Sequence, residues 1–139
     1  MKIKRLAVLF VVLAFAGALT ACSKISITVA DEKLNFLKAD ISESFEGVVP
    51  AEGNSILTIR FAAQNPNPDL TKISDAFFGD TPSTVSDGSA TYPCKSIAFE
   101  NTGGKVDVIP VFEIPSSFAG SGKTLTLSGN AFSPIELKV

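Results

Sequence analysis

The side chain with the clearest chemical potential is the thiol of Cys22, in a chain of 139 residues. The thiolate form of cysteine is the nucleophile in alkylation reactions, so a cysteine can carry a lipid instead of being joined to a partner cysteine in a disulfide. Small side chains precede it at Thr20 and Ala21, and they let the backbone lie extended in a peptidase groove. Covalent modification at Cys22 is therefore the first chemistry to consider.

Residues 1–21 have the pattern of a secretory signal peptide. Lys2, Lys4 and Arg5 form a cationic start, and residues 6–18 are an uncharged apolar run of 13 residues. A run of this length is a poor membrane span, since crossing ~30 Å of hydrocarbon takes about 20 apolar residues. Two alternatives stay open at this point: an uncleaved membrane anchor, and an ordinary secreted protein whose cysteine is coincidental.

The ending Leu19-Thr20-Ala21-Cys22 resembles the bacterial lipobox. The resemblance implies cleavage between Ala21 and Cys22, and a diacylglyceryl group on the Cys22 sulfur. Two acyl chains would anchor the protein without spanning the membrane, because each buried methylene contributes about 0.8 kcal/mol. The expected location is the extracytoplasmic side of a bacterial envelope membrane. In a Gram-negative host, Ser23 rather than Asp after the cysteine resembles the signal for release to the outer membrane.

The mature chain, residues 22–139, has the size and charge of one acidic domain. It contains 118 residues, enough for a real hydrophobic core. Without the three cations of the leader it has nine Lys and Arg against 14 Asp and Glu, a net charge of −5. Nucleic acids bind clustered basic side chains, and no such cluster is present, so a nucleic-acid partner is not expected.

The residues available for catalysis are few. The sequence has no His, which removes the commonest general base and the commonest ligand of transition metals. Residues 120–124, Gly-Ser-Gly-Lys-Thr, end like a nucleotide-binding P-loop, but Ser117 stands where the first glycine belongs, so no nucleotide is expected. Ser121 and Lys123 could share a face, but the surrounding glycine-rich turn offers no enclosed apolar surface that would activate the lysine as a base. We expect no enzyme activity and no catalytic residue.

Two further candidate sites have simple structural interpretations. Asn65, Asn67 and Asp69 imitate the alternate oxygen ligands of a calcium loop, with Asp75 as a possible fourth, but intervening prolines stiffen the segment. A turn capped by its own side chains explains them better, and we predict no metal or cofactor. Cys94 would have no partner in the chain if Cys22 carries lipid, and its apolar surroundings predict a buried thiol.

The chain contains many short strand patterns and little helical signal. The clearest is residues 55–64, where Leu57, Ile59 and Phe61 alternate with polar side chains as in a half-buried antiparallel strand. Turn formers fill residues 48–54, residues 101–104 predict a hairpin, and residues 79–90 predict a polar loop. Further strands are predicted for residues 25–29, 34–45 (where a helix is the alternative), 73–78, 95–100, 106–114, 123–128 and 135–139.

Pro110 lies within the segment 106–114. Proline has no backbone N–H to donate to a neighbouring strand, so an edge position or a bulge is expected. Short strands separated by frequent turns, with Phe as the main aromatic residue, predict an all-β fold, an antiparallel β-sandwich. Nine of the eleven Phe residues lie in the mature chain, about what a filled core needs.

Two segments carry a resemblance to a known family. Residues 56–66, Ile-Leu-Thr-Ile-Arg-Phe-Ala-Ala-Gln-Asn-Pro, and residues 111–115, Val-Phe-Glu-Ile-Pro, resemble the small bacterial immunoglobulin-like domains grouped with the mycobacterial immunoprotective extracellular antigen. Members commonly follow a lipoprotein leader. The resemblance implies an immunoglobulin-like sandwich across residues 34–128 and no established catalytic residues.

Two functions are compatible with this sequence. The first is a non-catalytic envelope lipoprotein, tethered to the membrane through Cys22, that contacts another envelope protein or a host surface protein. In this hypothesis the loop at residues 79–90 is the adaptable surface. The alternative is a lipoprotein that binds a small ligand in a pocket between the two sheets. A filled core favours the first hypothesis.

Overall fold

The computed structural model of the protein describes residues 25–139. Ala21 and Cys22, the predicted cleavage and lipid-attachment residues, lie outside the described residues, as does the predicted signal peptide. The described chain consists of strands, one α-helix and one turn of 3₁₀ helix at Ser116–Phe118. The elements are β1 (Ser26–Val29), β2 (Glu32–Ser42), β3 (Asn54–Ala63), α1 (Leu70–Phe78), β4 (Thr84–Ser86), β5 (Thr91–Thr102), β6 (Lys105–Pro115), β7 (Thr124–Gly129) and β8 (Phe132–Lys138).

The strands form a single antiparallel sheet, which corrects the predicted immunoglobulin-like sandwich. Their order is β1-β2-β3-β6-β5-β4-β7-β8, and each neighbouring pair is hydrogen-bonded. The all-β class was predicted correctly, but the sheet curls into a nearly closed barrel rather than splitting into two facing sheets. The immunoglobulin-like architecture implied by the family resemblance is therefore wrong.

Strand β5 explains why two separate sheets do not form. Its first residues pair with β4, from Thr91↔Ser86 to Pro93↔Thr84. Its remaining residues pair with β6, from Cys94↔Phe112 to Thr102↔Lys105, with a bulge between Cys94 and Ser96. A bulge bends a strand and increases its twist, so the sheet bends at β5 and continues from β6 to β4 without a break. The first and last strands, β1 and β8, then approach each other and leave a narrow seam.

Most predicted strands are present. The β1–β2 hairpin turns at Ala30 and Asp31, which both have positive φ, and the predicted β5–β6 hairpin turns at Gly103 and Gly104 with φ of 60° and 82°. Two successive positive φ values match the twist of a tight two-residue hairpin, and glycine adopts them without steric cost. The segment 34–45 is a strand to Ser42, as favoured over the helical alternative.

The strand predicted at residues 73–78 is instead part of helix α1. Asp69 caps this helix by accepting a hydrogen bond from the Lys72 N–H at 3.1 Å. Ile73 and Phe77 are four residues apart on one helical face, and both are fully buried. A capping Asp followed by apolar residues at helical spacing is a helix signal, and here it outweighs the short apolar run that suggested a strand.

The interior of the curled sheet is filled with apolar side chains. Phe61, Phe77 and Phe112 are among the largest fully buried side chains, together with Leu34, Leu57, Ile59, Leu125 and Leu127. Helix α1 crosses between β3 and β4 and contributes Phe77, whose ring lies 6.1 Å from that of Phe61 and 5.3 Å from that of Phe132. Near the 3₁₀ turn, Phe118 packs edge-on against Tyr92 at 5.9 Å.

Pro110 does not mark a sheet edge, in contrast to the prediction. It lies in β6, between β3 and β5 in the middle of the sheet, and pairs with Ile97 of β5. Toward β3 the ladder runs from Asn54↔Pro115 to Thr58↔Val111 and resumes only at Phe61↔Val108. The missing proline N–H falls within this interruption, so a central strand tolerates it.

Candidate functional site

The outer face of strands β3 and β6 contains apolar side chains that are buried outside the main core. Ile56, Ile109 and Val111 are all fully buried, yet none belongs to the cluster that fills the barrel. They lie on the outer face because Ile56 pairs with Glu113 and Val111 pairs with Thr58, and directly paired residues share a face. Strand β6 is therefore buried on both faces, so residues outside the sheet must pack against its outer face.

The connection between β2 and β3, residues 43–53, is attached to this outer face at one end, and we call it the strap. The Ala51 N–H donates to the carboxylate of Glu113, an outward-facing residue near the end of β6. Beside it, the Ser116 N–H donates to Gly53 O at 3.0 Å.

One carboxylate fastens the end of the strap near β3. Glu113 Oε2 accepts hydrogen bonds from the Ala51 N–H at 2.9 Å and from the Asn54 side-chain amide at 2.8 Å. Lys95 Nζ lies 3.8 Å from the other oxygen of the same carboxylate. The hydrogen bonds from Asn54 and Ala51, followed by the charge of Lys95, hold the pKa of Glu113 below its usual range. We call this arrangement the clasp.

A charged cluster lies at the opposite end of the covered face. Arg60 Nη1 lies 2.8 Å from a Glu100 oxygen and 2.8 Å from an Asp107 oxygen. The Arg60 hydrogen bond is the main reason why the pKa of Glu100 is lowered. The side chain of Arg60 faces outward from β3, as its alternation with Ile59 and Phe61 predicts. Its cluster with Glu100 and Asp107 marks the end of the buried apolar side chains on the outer face.

The strap itself presents an apolar outer surface. The strap has an inner tight turn in which the Phe45 N–H donates to Val48 O at 3.1 Å and the Val48 N–H donates to Phe45 O at 2.8 Å. Val49 is 75% exposed, and its neighbours Val48 and Pro50 are only partly buried. Hydrogen bonds to the sheet thus hold a run of apolar side chains in contact with solvent.

Cys94 is placed as the sequence suggested, in the core with 3% exposure. Burial raises the pKa of its thiol, and Sγ donates a hydrogen bond to Ser96 O at 3.2 Å. A protonated, enclosed thiol is a poor nucleophile.

The P-loop-like segment is a structural turn. Ser121 Oγ donates to Phe118 O at 2.6 Å, and the Gly122 N–H donates to Val139 O at 2.8 Å. Lys123 lies 3.7 Å from Asp87 and 5.2 Å above the Phe118 ring. The segment leads into β7 and does not open a helix.

The calcium-like residues are not brought together around a common point. Asn65 Oδ1 accepts the Asn67 N–H at 2.9 Å, and Asp69 Oδ1 caps helix α1. Glu32 accepts the Asp69 N–H at 3.0 Å, while Asp75 lines a different groove, beside Gly79. Among residues 25–139, no group of three acidic, Cys or His side chains is arranged to hold a metal ion.

The segment 79–90 is less loop-like than predicted. It contains strand β4, which pairs with β5 on one side and β7 on the other. Ser83 and Val85 are fully buried. Asp87 Oδ1 accepts the N–H groups of Ser89 and Ala90, each at 2.9 Å, which fixes the following turn. Three of its twelve residues, Thr84–Ser86, are therefore part of the sheet, and the others form the connections on either side.

Sequence reasoning did not find the strap. The sequence pattern predicts only turn formers at residues 48–54, and it singles out Glu113 only as part of a motif resemblance. The available signal was the unbroken apolar run Val108-Ile109-Pro110-Val111-Phe112, since a strand without alternation is buried on both faces. The two segments that carried the family resemblance do lie side by side, in β3 and β6.

Comparison of the chain with protein-family profiles, with curated proteins and with solved structures finds no match. In the part of the chain from residue 25 onward, no helix is both long enough and apolar enough to cross a membrane.

Proposed function

We propose that this protein is a lipid-anchored envelope protein without catalytic activity that binds another protein through the strap. The single observation that supports the binding role most directly is the apolar outer surface of the strap. Phe45, Val48 and Pro50 are partly buried and Val49 is largely exposed, while hydrogen bonds hold the segment in place. A fixed, solvent-facing apolar surface is typical of protein interaction sites.

The placement of the reactive side chains supports the non-catalytic part of the proposal. Cys94 is enclosed in the core, Ser121 donates to a backbone carbonyl, and Lys123 is held between Asp87 and Phe118. Each of these groups has a structural partner. The filled interior of the barrel likewise assigns the large Phe side chains to packing.

The membrane part of the proposal depends on residues 19–22 and is tested separately. Cells expressing the full chain are labelled with a clickable fatty acid, and wild type is compared with Cys22→Ser. We expect label only on the wild type and release of the variant into soluble fractions. Equal labelling and equal membrane retention of both proteins would contradict the anchor.

The binding role is tested by site-specific photo-crosslinking on intact cells. A photoreactive amino acid replaces Val49 in one variant and Ser133, an exposed residue of β8, in a matched control. We expect one discrete protein adduct from position 49, absent from position 133 and weakened by Val48→Ser. Identical adducts from both positions, or none from position 49, would contradict binding through the strap.

A further inference from the structure

The seam between β1 and β8 leaves one strand edge of the sheet without a neighbour. We propose that this seam is a second binding site, where one extended segment of another polypeptide is added as a strand antiparallel to β1. The site is separate from the strap and does not depend on the lipid anchor.

The backbone of β1 presents unpaired hydrogen-bonding groups at the seam. The Phe36 N–H of β2 donates to Ile25 O at 2.9 Å. Because hydrogen-bonded pairs alternate along an antiparallel ladder, every second residue from Ile25 bonds to β2, and the N–H and C=O groups of Ser26 and Thr28 point the other way. Among residues 25–139, β1 pairs with β2 alone. The edge formed by Ser26 and Thr28 is therefore free to accept a further strand.

The opposite side of the seam does not satisfy these groups. In the described chain, β1 and β8 are the two ends of the strand order and do not pair with each other. Pro134 of β8 borders the seam and has no N–H to donate, so direct closure of the barrel would lack a ladder bond there. A groove of about 690 Å³ separates residues 26–28 from residues 130–135.

The walls of the groove limit what can enter it. A strand lies on either side, so a single extended chain can bond to the edge of β1. A second folded copy would bring a whole sheet behind its own edge strand, and β8 would obstruct that sheet. The free backbone groups favour a polypeptide, because an extended backbone supplies the matching donors and acceptors, as in strand addition to an exposed sheet edge.

The side chains along the seam indicate which sequence pattern fits. On the inner side Ile27 is buried, and Phe132 and Ile135 are partly buried against the core. On the outer side Ser26 and Thr28 are exposed and uncharged. Because directly paired residues share a face, an added segment should place apolar residues at alternate positions toward the core, with polar residues between them.

The test uses a fluorescein-labelled peptide with the sequence of residues 32–38, Glu-Lys-Leu-Asn-Phe-Leu-Lys. These residues belong to β2, the antiparallel neighbour of β1, and Leu34 and Phe36 supply the alternate apolar side chains. Binding to the full chain in detergent is measured by fluorescence anisotropy. Hydrogen exchange at the amides of β1 is followed by NMR, with and without unlabelled peptide.

Two variants of Thr28 separate the backbone contribution from that of the side chain. Thr28→Pro removes the N–H that faces the seam, and an edge strand tolerates proline at such a position. Thr28→Val keeps this N–H and has a side chain of similar shape. The Thr28 N–H does not donate to β2, so both variants keep the ladder between β1 and β2.

We expect fast exchange at Ser26 and Thr28 in the free protein, and exchange slower by about fivefold or more when the peptide is bound. Thr28→Pro should weaken peptide binding by about tenfold, whereas Thr28→Val should stay within about twofold of the wild type.

Several outcomes would overturn the proposal. Slow exchange at Ser26 and Thr28 in the free protein would mean that the edge is already paired. Protection that rises with protein concentration in the absence of peptide would identify a second copy as the occupant. Peptide binding without protection of these amides, equal binding by the two variants, or no binding at about 1 mM peptide would each show that β1 receives no strand.

The seam and the strap are tested separately. Ser133 borders the seam, so on intact cells a protein bound there would give position 133 an adduct different from the one at position 49. Failure of the peptide test leaves crosslinking through the strap unaffected, and the reverse also holds.

Discussion

Glu113 combines three roles at the scale of a single residue. Its carboxylate accepts from Ala51 and Asn54 and attracts Lys95, so the strap, β3 and β5 meet at one side chain of β6. The ionised carboxylate does this best, because its charge strengthens both hydrogen bonds and attracts Lys95. The clasp should therefore be sensitive to acid.

We predict that the Glu113→Gln variant loses less stability on acidification than wild type. The pKa of Glu113 is lower in the folded protein than its ordinary value of 4.5. A depressed folded pKa stabilises the fold above the unfolded pKa, and this contribution is lost as the pH falls below 4.5 and through the folded value. The measurement is the free energy of urea unfolding from neutral pH to about pH 3.

Some acid sensitivity should persist in Glu113→Gln, because the pKa values of Glu100 and Asp87 are also lowered, by Arg60 and by the Ala90 N–H respectively. Identical pH profiles for wild type and Glu113→Gln would contradict the role given to the clasp.

Cys94 allows a second test at the same scale. Its 3% exposure and raised pKa predict that iodoacetamide does not alkylate it in the folded protein. Labelling, followed by intact-mass measurement, should become complete when urea unfolds the chain. Rapid labelling without denaturant would mean that the thiol is accessible and would contradict its placement in the core.

At the scale of elements, the outer face of β6 behaves as a small second core. Ile109 and Val111 are as completely buried as the residues inside the barrel, although they point away from it. These side chains should therefore contribute to stability as the side chains of the barrel interior do.

We predict that Ile109→Ala lowers the free energy of unfolding by about 2–4 kcal/mol, because it leaves a cavity at a fully buried position of the outer face. Val49→Ala, in the strap itself, should change stability by less than about 0.5 kcal/mol, because Val49 is exposed. Chemical denaturation followed by circular dichroism measures both. Similar values for the two variants would contradict a buried outer face.

At the scale of the whole molecule, helix α1 connects distant parts of one curled sheet. It follows β3 and precedes β4, which lies three positions away in the strand order. Phe77 contacts Phe61 of β3 and Phe132 of β8, so one helical side chain links the third strand of the sheet to the last. Closure of the barrel should therefore depend on this residue.

We predict that Phe77→Ala destabilises the protein by about 3–5 kcal/mol, whereas Phe78→Ala changes stability by about 0.5 kcal/mol or less. Phe77 is fully buried, while its neighbour Phe78 is 47% exposed on the same helix. Thermal unfolding of both variants provides the comparison. A small effect at Phe77 would mean that α1 packs loosely on the barrel.

Local patterns were sufficient to predict most strands and the β5–β6 hairpin. Residues 55–64 alternate with a period of two, and Gly103 and Gly104 provide the positive φ values of a tight turn. These features depend on side-chain direction and backbone sterics within a few residues, so neighbouring residues determine them. The all-β class follows from them.

The same local reasoning was wrong where distant residues decide the outcome. Pro110 lies in a central strand because its missing N–H coincides with an interrupted ladder to β3. Residues 73–78 have a local helix signal in the cap at Asp69, and the barrel interior, formed by distant strands, decides between helix and strand by burying Ile73 and Phe77 on one helical face. Neither the interruption nor the interior exists until strands far apart in the chain have paired.

The sequence by itself determined most of the strands, the β5–β6 turn, the burial of Cys94 and the pattern at residues 19–22 that predicts a lipid anchor. Only the tertiary structure decided that β5 bends the ladder into one curled sheet, and that Ile109 and Val111 are fully buried on the outer face of β6. The physical reason is that periodicity indicates the direction of a side chain within its strand. The burial of that side chain depends on long-range contacts, which the local pattern does not encode.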